Sequence, residues 1–161
     1  MSFAPLARLP RSAWSILREL ARHTLHHPVV GVLAAARTRD GRWLLVRRSD
    51  TGTWAPPGGT VEWGETISST LVRELAEETG ARLLRVGRVV GVYSRPDRDP
   101  RFHAVTVVVE VEVDATSLQP SNPLEIREAR LFDADSIPWP LAFGCDDFLR
   151  DAMKDAPAVL E

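Results

Sequence analysis

Three glutamates near the middle of the chain have the types and the spacing that chemistry with cations requires. Glu74, Glu77 and Glu78 lie within five residues and directly follow Arg73. On an α-helix, where each residue turns by about 100°, their carboxylates share one strip. Like charges four residues apart destabilise a helix, and so does negative charge near its C-terminus. We therefore expect a cation to offset this acidic strip.

The residues before the acidic strip also fit an ion or phosphate site. Glutamates on a helix most often form a solvated face, and that is the alternative here. Upstream, however, the sequence "PPGG" ends in Gly58 and Gly59, which lack Cβ atoms and let the backbone approach a ligand closely. Mg²⁺ prefers hard oxygen ligands, which carboxylates and a turn carbonyl supply.

Together these residues resemble a known motif, the Nudix box, G-x5-E-x7-R-E-U-x-E-E-x-G-U, where U is a bulky aliphatic residue. Residues 59–80 match every fixed position, and Ala81 replaces the final aliphatic residue, a change that affects a packing contact. The segments "WLLVRR", "WAPPGG" and "EAR" also resemble the family. The similarity extends over about residues 29–155.

The resemblance implies an α+β fold, the Nudix α/β/α sandwich with a mixed β-sheet. It also implies an enzyme that binds Mg²⁺, for which Mn²⁺ can substitute, and hydrolyses a nucleoside diphosphate linked to another moiety. The implied metal ligands are Glu74, Glu77, Glu78 and the carbonyl of Gly59.

Three further positions of the box have implied roles. Arg73 orients a box glutamate, which helix spacing makes Glu77. Glu65 braces the loop against the helix. Gly80 is a structural position, since glycine can end a helix in the left-handed conformation.

Hydrolysis also requires a carboxylate that takes the proton of the attacking water. In this family the base lies in the box or in a loop outside it. The candidates are therefore Glu77 or Glu78 within the box, and Glu125 in "SNPLEIREAR". For Glu125 the alternative is an exposed loop acid.

The segment "YSRPDRDPRFHAV" places Arg95, Arg98 and Arg101 in one loop before a long strand. Guanidinium groups bind phosphate oxygens in a bidentate manner, so these arginines are candidates for substrate binding. A solvated turn with internal Asp–Arg pairs is the alternative. The segment resembles those of Nudix enzymes that act on ADP-ribose and related nucleotide sugars.

Four more residues are candidates for substrate binding. Arg47 and Arg48 point in opposite directions along a strand, so one of them can face a cleft. Trp54 stacks on a base or covers the core. His103 is more often a packed or exposed strand residue than a catalytic base.

Three functions fit this sequence. The first is a pyrophosphohydrolase of ADP-ribose or nucleotide sugars, and the second is a nucleoside-triphosphate pyrophosphohydrolase with the same box. The third is a non-catalytic module that binds a ligand or a protein. The acidic strip argues against the third, because a module that only binds has no need of a costly strip.

Composition limits the partners. A formal net charge of −2 gives no broad basic face for a nucleic acid polymer, and no apolar run is long enough to span a membrane. The small nucleotide substrate is the expected partner. Cys145 is the single cysteine, so no internal disulfide is possible, and a reducing cytoplasmic setting fits best.

Sequence patterns predict the elements that position these residues. Residues 1–28 form a helical extension, whose apolar stripe indicates a homodimer arm or a lid, or simply packs on the domain. Residues 29–161 form the Nudix domain. Within it we expect a hairpin at Asp40–Gly41, a short strand at residues 60–63, a helix over residues 66–79, a long strand from Val105 to Val113 and a closing helix.

Overall fold

The computed structural model describes Ile16, residues 27–154 and residues 156–161. The helical extension predicted for residues 1–28 lies outside this part of the chain, except for Ile16, His27 and Pro28. The homodimer and the division at residue 28 stay predictions.

A mixed β-sheet forms the middle layer of the domain. Its strands, in chain order, are β1 (Val29–Arg37), β2 (Trp43–Arg48), β3 (Trp54–Ala55), β4 (Gly58–Thr60), β5 (Arg82–Tyr93), β6 (Ala104–Asp114), β7 (Ile126–Phe132) and β8 (Val159–Leu160). Strand β1 pairs in parallel with β6 and antiparallel with β4, and it forms the predicted hairpin with β2. Strand β5 lies antiparallel to β6 and parallel to β8, while β2 pairs with β3 and β7.

Two α-helices cover opposite faces of this sheet. They are α1 (Ile67–Thr79) and α2 (Asp146–Ala152), the latter preceded by a 3₁₀ turn, Ala142–Gly144. Leu75 of α1 packs in one apolar cluster with Ala34, and Phe148 of α2 packs in another with Ala35. Successive residues of a strand point to opposite faces, so β1 separates the two helices. This arrangement confirms the predicted α/β/α sandwich.

Helix α1 begins and ends where the sequence predicts. The hydroxyl of Thr66 accepts a hydrogen bond from the backbone N–H of Ser69, and the Ser69 hydroxyl accepts one from the N–H of Thr66. This capping box satisfies two N–H groups that the helix leaves free. Gly80 follows with φ 73°. Ile67, in the first turn of α1, is 37% exposed, whereas Leu75 is buried.

Two strands differ from the prediction. Strand β4 covers residues 58–60, earlier than the predicted 60–63, because Gly58 and Gly59 pair with β1. Strand β8 pairs with Gly91 and Val92 of β5 and was not predicted. Within the described ranges, no helix is long and apolar enough to cross a membrane.

Candidate active site

A cleft of about 500 Å³ opens between α1, the β1–β4 ladder and the loop that precedes β6. The acidic side of the cleft carries most of the predicted catalytic groups: Gly59, Arg73, Glu74, Glu77, Glu78 and Glu125. Arg48, Arg98 and Arg101 line the same cleft. The fold therefore brings carboxylates and guanidinium groups to one cavity, from segments that are far apart in sequence.

Glu78 is the most buried carboxylate of the acidic strip. Its residue is 5% exposed, and its Oε2 accepts a hydrogen bond of 2.8 Å from the backbone N–H of Gly58. The pKa of Glu78 is raised to about 8, mainly by burial and also by the neighbouring Glu74 and Glu125 carboxylates, while the Gly58 N–H opposes the rise. A buried carboxylate without a compensating charge is costly, and a bound cation would supply that charge.

Gly58 and Gly59 let the backbone lie directly against its neighbours. A Cβ atom on Gly59 would lie 2.2 Å from Oε1 of Glu74, so this carboxylate occupies the space of a missing side chain. A Cβ atom on Gly58 would lie 2.2 Å from the carbonyl oxygen of Val32, and Gly58 has φ 147°. Burial also raises the pKa of Glu74, while Arg73 opposes the rise.

Arg73 contacts Glu77, as helix spacing predicts, but it lies closer to two other glutamates. Its Nε and Nη2 donate to the two oxygens of Glu65 at 2.7 and 2.9 Å, and its Nη1 donates to Glu74 at 2.8 Å. The contact with Glu77, which helix spacing favoured, is longer at 3.4 Å. Glu65 also accepts from the hydroxyl of Thr70, so it lies between the loop and the helix. The loop brings Glu65 onto one edge of the guanidinium, through Nε and Nη2, a bidentate geometry that one contact along the helix does not match.

The carboxylates of the acidic strip supply the oxygen ligands that Mg²⁺ prefers. As they stand, no three acidic, histidine or cysteine side chains among the described residues are arranged to hold a metal ion. Arg73 binds Glu74, and Gly58 binds Glu78. Glu74, Glu77, Glu78 and the carbonyl of Gly59 therefore stay predicted ligands.

Glu125 lies on the cleft at the start of β7, as the hypothesis of an outside base requires. Its segment is fixed by the backbone, since the N–H of Ser49 donates to the carbonyl of Glu125 at 2.8 Å. Its negative charge raises the pKa of both Glu74 and Glu78. The choice of base between Glu125 and the box glutamates stays open.

Of the two arginines on β2, Arg48 lines the cleft. Arg47 points away, and its Nε donates to the carbonyl of Gly52. The guanidinium of Arg48 binds Asp50 through two hydrogen bonds and lies 5.1 Å from the ring centre of Phe143. The side chains of Arg47 and Arg48 therefore point in opposite directions, as those of successive residues in a strand do.

The loop before β6 places two of its three arginines on the cleft. Arg101 lies 4.1 Å from the ring centre of Phe143 and binds Asp99. The Arg98 side chain packs over Phe148, and it is 11% exposed where that of Arg101 is 43% exposed. Arg95 lies outside the cleft, within 3.5 Å of an oxygen of Asp97.

Trp54 and His103 also lie outside the cleft. Trp54 packs edge-on against Phe132, with ring centres 4.8 Å apart, so it covers the core. Nε2 of His103 lies 2.8 Å from the carbonyl oxygen of Ser94, just before β6 begins. The substrate-binding roles predicted for Trp54, His103, Arg47 and Arg95 therefore have no support from their positions.

The cleft also contains residues that the sequence did not single out. Asp99, Phe102, Phe143 and Phe148 line it. Asp99 and Phe102 belong to the loop before β6 that carries Arg95, Arg98 and Arg101, the arginine loop. They would have been found if every residue of that loop had been taken as a candidate. Phe143 comes from the 3₁₀ turn with φ 52°, and no periodic pattern marks it.

Comparison with known proteins agrees with this geometry. The NUDIX domain matches residues 25–152. An ADP-ribose pyrophosphatase of Methanocaldococcus jannaschii is 38% identical over 141 residues, which cover 85% of this chain and 80% of that protein. The crystal structure of a MutT NUDIX hydrolase from Burkholderia pseudomallei superimposes with a TM-score of 0.68 and 30% identity, covering 80% of this chain and all of the other.

A third comparison includes a ligand. The NUDIX domain of Shewanella oneidensis NrtR, in a structure complexed with ADP ribose, superimposes with a TM-score of 0.70 and 25% identity. The match covers 94% of this chain and 97% of the other. The chain therefore belongs to the Nudix hydrolase family and is a Nudix pyrophosphohydrolase, as the spacing of its glutamates predicts.

Proposed function

We propose that this enzyme uses Mg²⁺, or Mn²⁺ in its place, to hydrolyse the diphosphate bond of ADP-ribose or of a nucleotide sugar. The products are a nucleoside monophosphate and a sugar phosphate. One observation carries the proposal: the acidic strip and the arginine loop line the same cleft, so a diphosphate and the sugar attached to it can be bound together.

The comparisons support this choice of substrate. The archaeal relative is named an ADP-ribose pyrophosphatase, and the Shewanella domain was solved with ADP ribose. The triphosphate alternative has the same box. The box does not distinguish the two substrates, because groups that hold phosphates are indifferent to what is attached to them.

The acidic side of the cleft supports the reaction at phosphorus. Glu74, Glu77 and Glu78, with the carbonyl of Gly59, would hold the ion. When bound, the ion supplies charge neutralisation at the phosphates and lowers the pKa of a coordinated water. Arg73 and Glu65 fix α1 against the loop that carries Gly59.

Proton balance requires one carboxylate to act as base. Water adds to one phosphorus, the bond from that phosphorus to the bridging oxygen breaks, and the water proton passes to the carboxylate. Glu125 and the box glutamates all line the cleft. A comparison of Glu125→Gln with Glu77→Gln, by single-turnover rates against pH, identifies the base.

The part of the cleft that carries the arginines gives selectivity for the group attached to the diphosphate. Arg101 is the more exposed of its two arginines and lies beside the ring of Phe143. A ribose phosphate offers oxygens to Arg101 and hydroxyl groups to Asp99. Arg101→Ala should lower the preference for sugar-linked substrates by about 1–3 kcal/mol, the usual cost of a lost charge-assisted hydrogen bond.

A panel of substrates tests the function. ADP-ribose, several nucleotide sugars and the deoxynucleoside triphosphates are each incubated with the enzyme and Mg²⁺, and the products are separated by chromatography. We expect kcat/KM for ADP-ribose or a nucleotide sugar to exceed that for every triphosphate. Faster release of inorganic pyrophosphate from a triphosphate would favour the triphosphate alternative.

A further inference from the structure

The arginine loop, residues 94–103, is held by a carboxylate that comes from far along the chain. Oε2 of Glu161 accepts hydrogen bonds from the backbone N–H groups of Ser94 and Arg95, at 3.0 and 2.9 Å. The same carboxylate accepts from Nε and Nη2 of Arg98, at 3.0 and 2.6 Å. One carboxylate thus accepts hydrogen bonds from two N–H groups at the start of the loop and from the most buried of its arginines.

Glu161 is itself held at the edge of the sheet. Its N–H donates to the carbonyl of Val92 at 3.0 Å, next to the β5–β8 pairing, and its carbonyl accepts from the Ser94 hydroxyl. Arg88 of β5 donates to the carbonyls of Lys154 and Ala156, which anchors the segment between α2 and β8. The position of Glu161 is therefore set by backbone contacts that do not involve the cleft.

Arg98 has few donors left for a substrate. Besides Glu161, it binds Asp147 and the carbonyl of Gly144 through Nη1. Its guanidinium also packs over Tyr93 and Phe148, at 5.3 and 5.0 Å from the ring centres. Arg98 thus acts mainly as an internal anchor, and the residues next to it in the loop, Asp99 and Arg101, present their side chains to the cleft.

We propose that Glu161 is a positioning residue for substrate selection, which holds the arginine loop through Arg98 and two backbone N–H groups so that Asp99 and Arg101 face the cleft. The proposal rests on the proposed function for the identity of the ligand, a nucleoside diphosphate with a sugar attached. The contacts that hold the loop all lie within this chain.

Glu161→Gln tests the proposal, since it keeps the size of the side chain and removes its charge. We expect KM for the sugar-linked substrate to rise by roughly tenfold, the usual effect of losing a charge-assisted hydrogen bond. The kcat should change by less than about twofold, because the acidic strip lies on a different element. Glu161→Asp keeps the charge on a shorter side chain and should lie between the wild type and Glu161→Gln.

Two matched variants separate this effect from a general loss of ion pairs. Glu112→Gln removes a carboxylate that binds Arg39 and approaches Arg85, outside the cleft, and should leave KM unchanged. If Glu161 acts through Arg98 as well as through the two backbone N–H groups, the double variant Glu161→Gln/Arg98→Ala should raise KM by less than the product of the two single effects. Independent, multiplying effects in the double variant would overturn the proposal.

Hydrogen exchange gives a readout that needs no substrate. In Glu161→Gln, the amides of Ser94 and Arg95 should exchange faster, while the amides of α1 keep their rates. Unchanged exchange at Ser94 and Arg95 would overturn the hold on the loop. Faster exchange with an unchanged KM, measured on whichever nucleotide the wild type cleaves, would overturn the positioning role. A wild type that cleaves no sugar-linked diphosphate contradicts the proposed function instead, and the exchange result still decides whether Glu161 holds the loop.

Discussion

At the scale of single residues, burial sets the properties of the candidate site. Glu78 lies almost entirely out of solvent, beside two further carboxylates, with one backbone N–H as its hydrogen-bond donor. Glu74 is bound by Arg73 and fills the space beside Gly59. These positions suit residues that serve a ligand better than residues that serve the fold, because a buried carboxylate costs stability.

Glu78→Gln should therefore separate activity from stability. We expect kcat to fall by about 100-fold or more, since even residues that only support metal ligands contribute about 10–100-fold. The free energy of unfolding in the absence of metal should stay equal or rise, because an amide is cheaper to bury than a charge. Steady-state kinetics and urea unfolding measure the two effects. Glu128→Gln on β7, outside the cleft, is the control, and normal turnover in Glu78→Gln would exclude the ligand role.

The two glycines of β4 should respond differently to alanine. In Gly58→Ala the new Cβ meets backbone atoms of β1, which cannot move aside, and we expect a loss of about 3 kcal/mol or more in unfolding free energy. In Gly59→Ala the new Cβ meets the far end of the Glu74 side chain, which can turn away. That variant should stay folded and lose activity. Equal stability of the two variants would contradict this account.

At the scale of elements, features set by residues close together in sequence could be predicted. Features set by residues far apart in sequence could not. The ends of α1 follow from Thr66, Ser69 and Gly80, all within the helix or beside it. The alignment of the acidic strip likewise follows from helix geometry alone. Strand β8 has two residues, too few for any period, and its position depends on β5. The bidentate contact of Arg73 with Glu65 was not predicted, because helix spacing carries no information about the loop that delivers Glu65.

The contact between Glu161 and the arginine loop should make stability depend on pH. The pKa of Glu161 is lowered from 4.5 to about 2, mainly by hydrogen bonds from Arg98 and also by the N–H groups of Arg95 and Ser94, while burial opposes the fall. Arg95 and Arg98 face this carboxylate, and Asp97 and Asp147 pair with the same arginines. Because the folded pKa is depressed, the stabilisation is complete above pH 4.5 and is lost as the pH falls toward 2.

Urea unfolding of the wild type and Glu161→Gln between pH 7 and pH 3 measures this dependence. We expect a constant difference in unfolding free energy from pH 7 to about pH 5, and a smaller difference below that range. A difference that does not change with pH would mean that the charge of Glu161 contributes nothing to the contact.

At the scale of the whole molecule, bound metal should stabilise the domain. Three carboxylates on one strip repel each other, and an ion that binds the folded state alone shifts the equilibrium by mass action. At about 100 times its dissociation constant, the gain is about 2.7 kcal/mol. We expect Mg²⁺ or Mn²⁺ at millimolar concentration to raise Tm relative to enzyme with a chelator. The shift should be smaller in Glu78→Gln, and equal Tm values in the wild type with metal and with chelator would contradict metal binding by the folded state.

The short reach of β8 also bears on how the protein avoids aggregation. Within the described residues, β8 covers only Gly91 and Val92 of β5, so the earlier part of β5 is an open edge with exposed Leu84, Val86 and Val89. An open apolar edge invites the strand of another molecule. Arginines at positions 82, 85 and 88 interrupt this edge, and its register with β6 is irregular. Both features oppose the flat pairing of this edge with a strand of another molecule. Arg85→Val should therefore lower the solubility of the protein and leave its catalytic rate unchanged. Turbidity, measured as the protein is concentrated, reports the solubility.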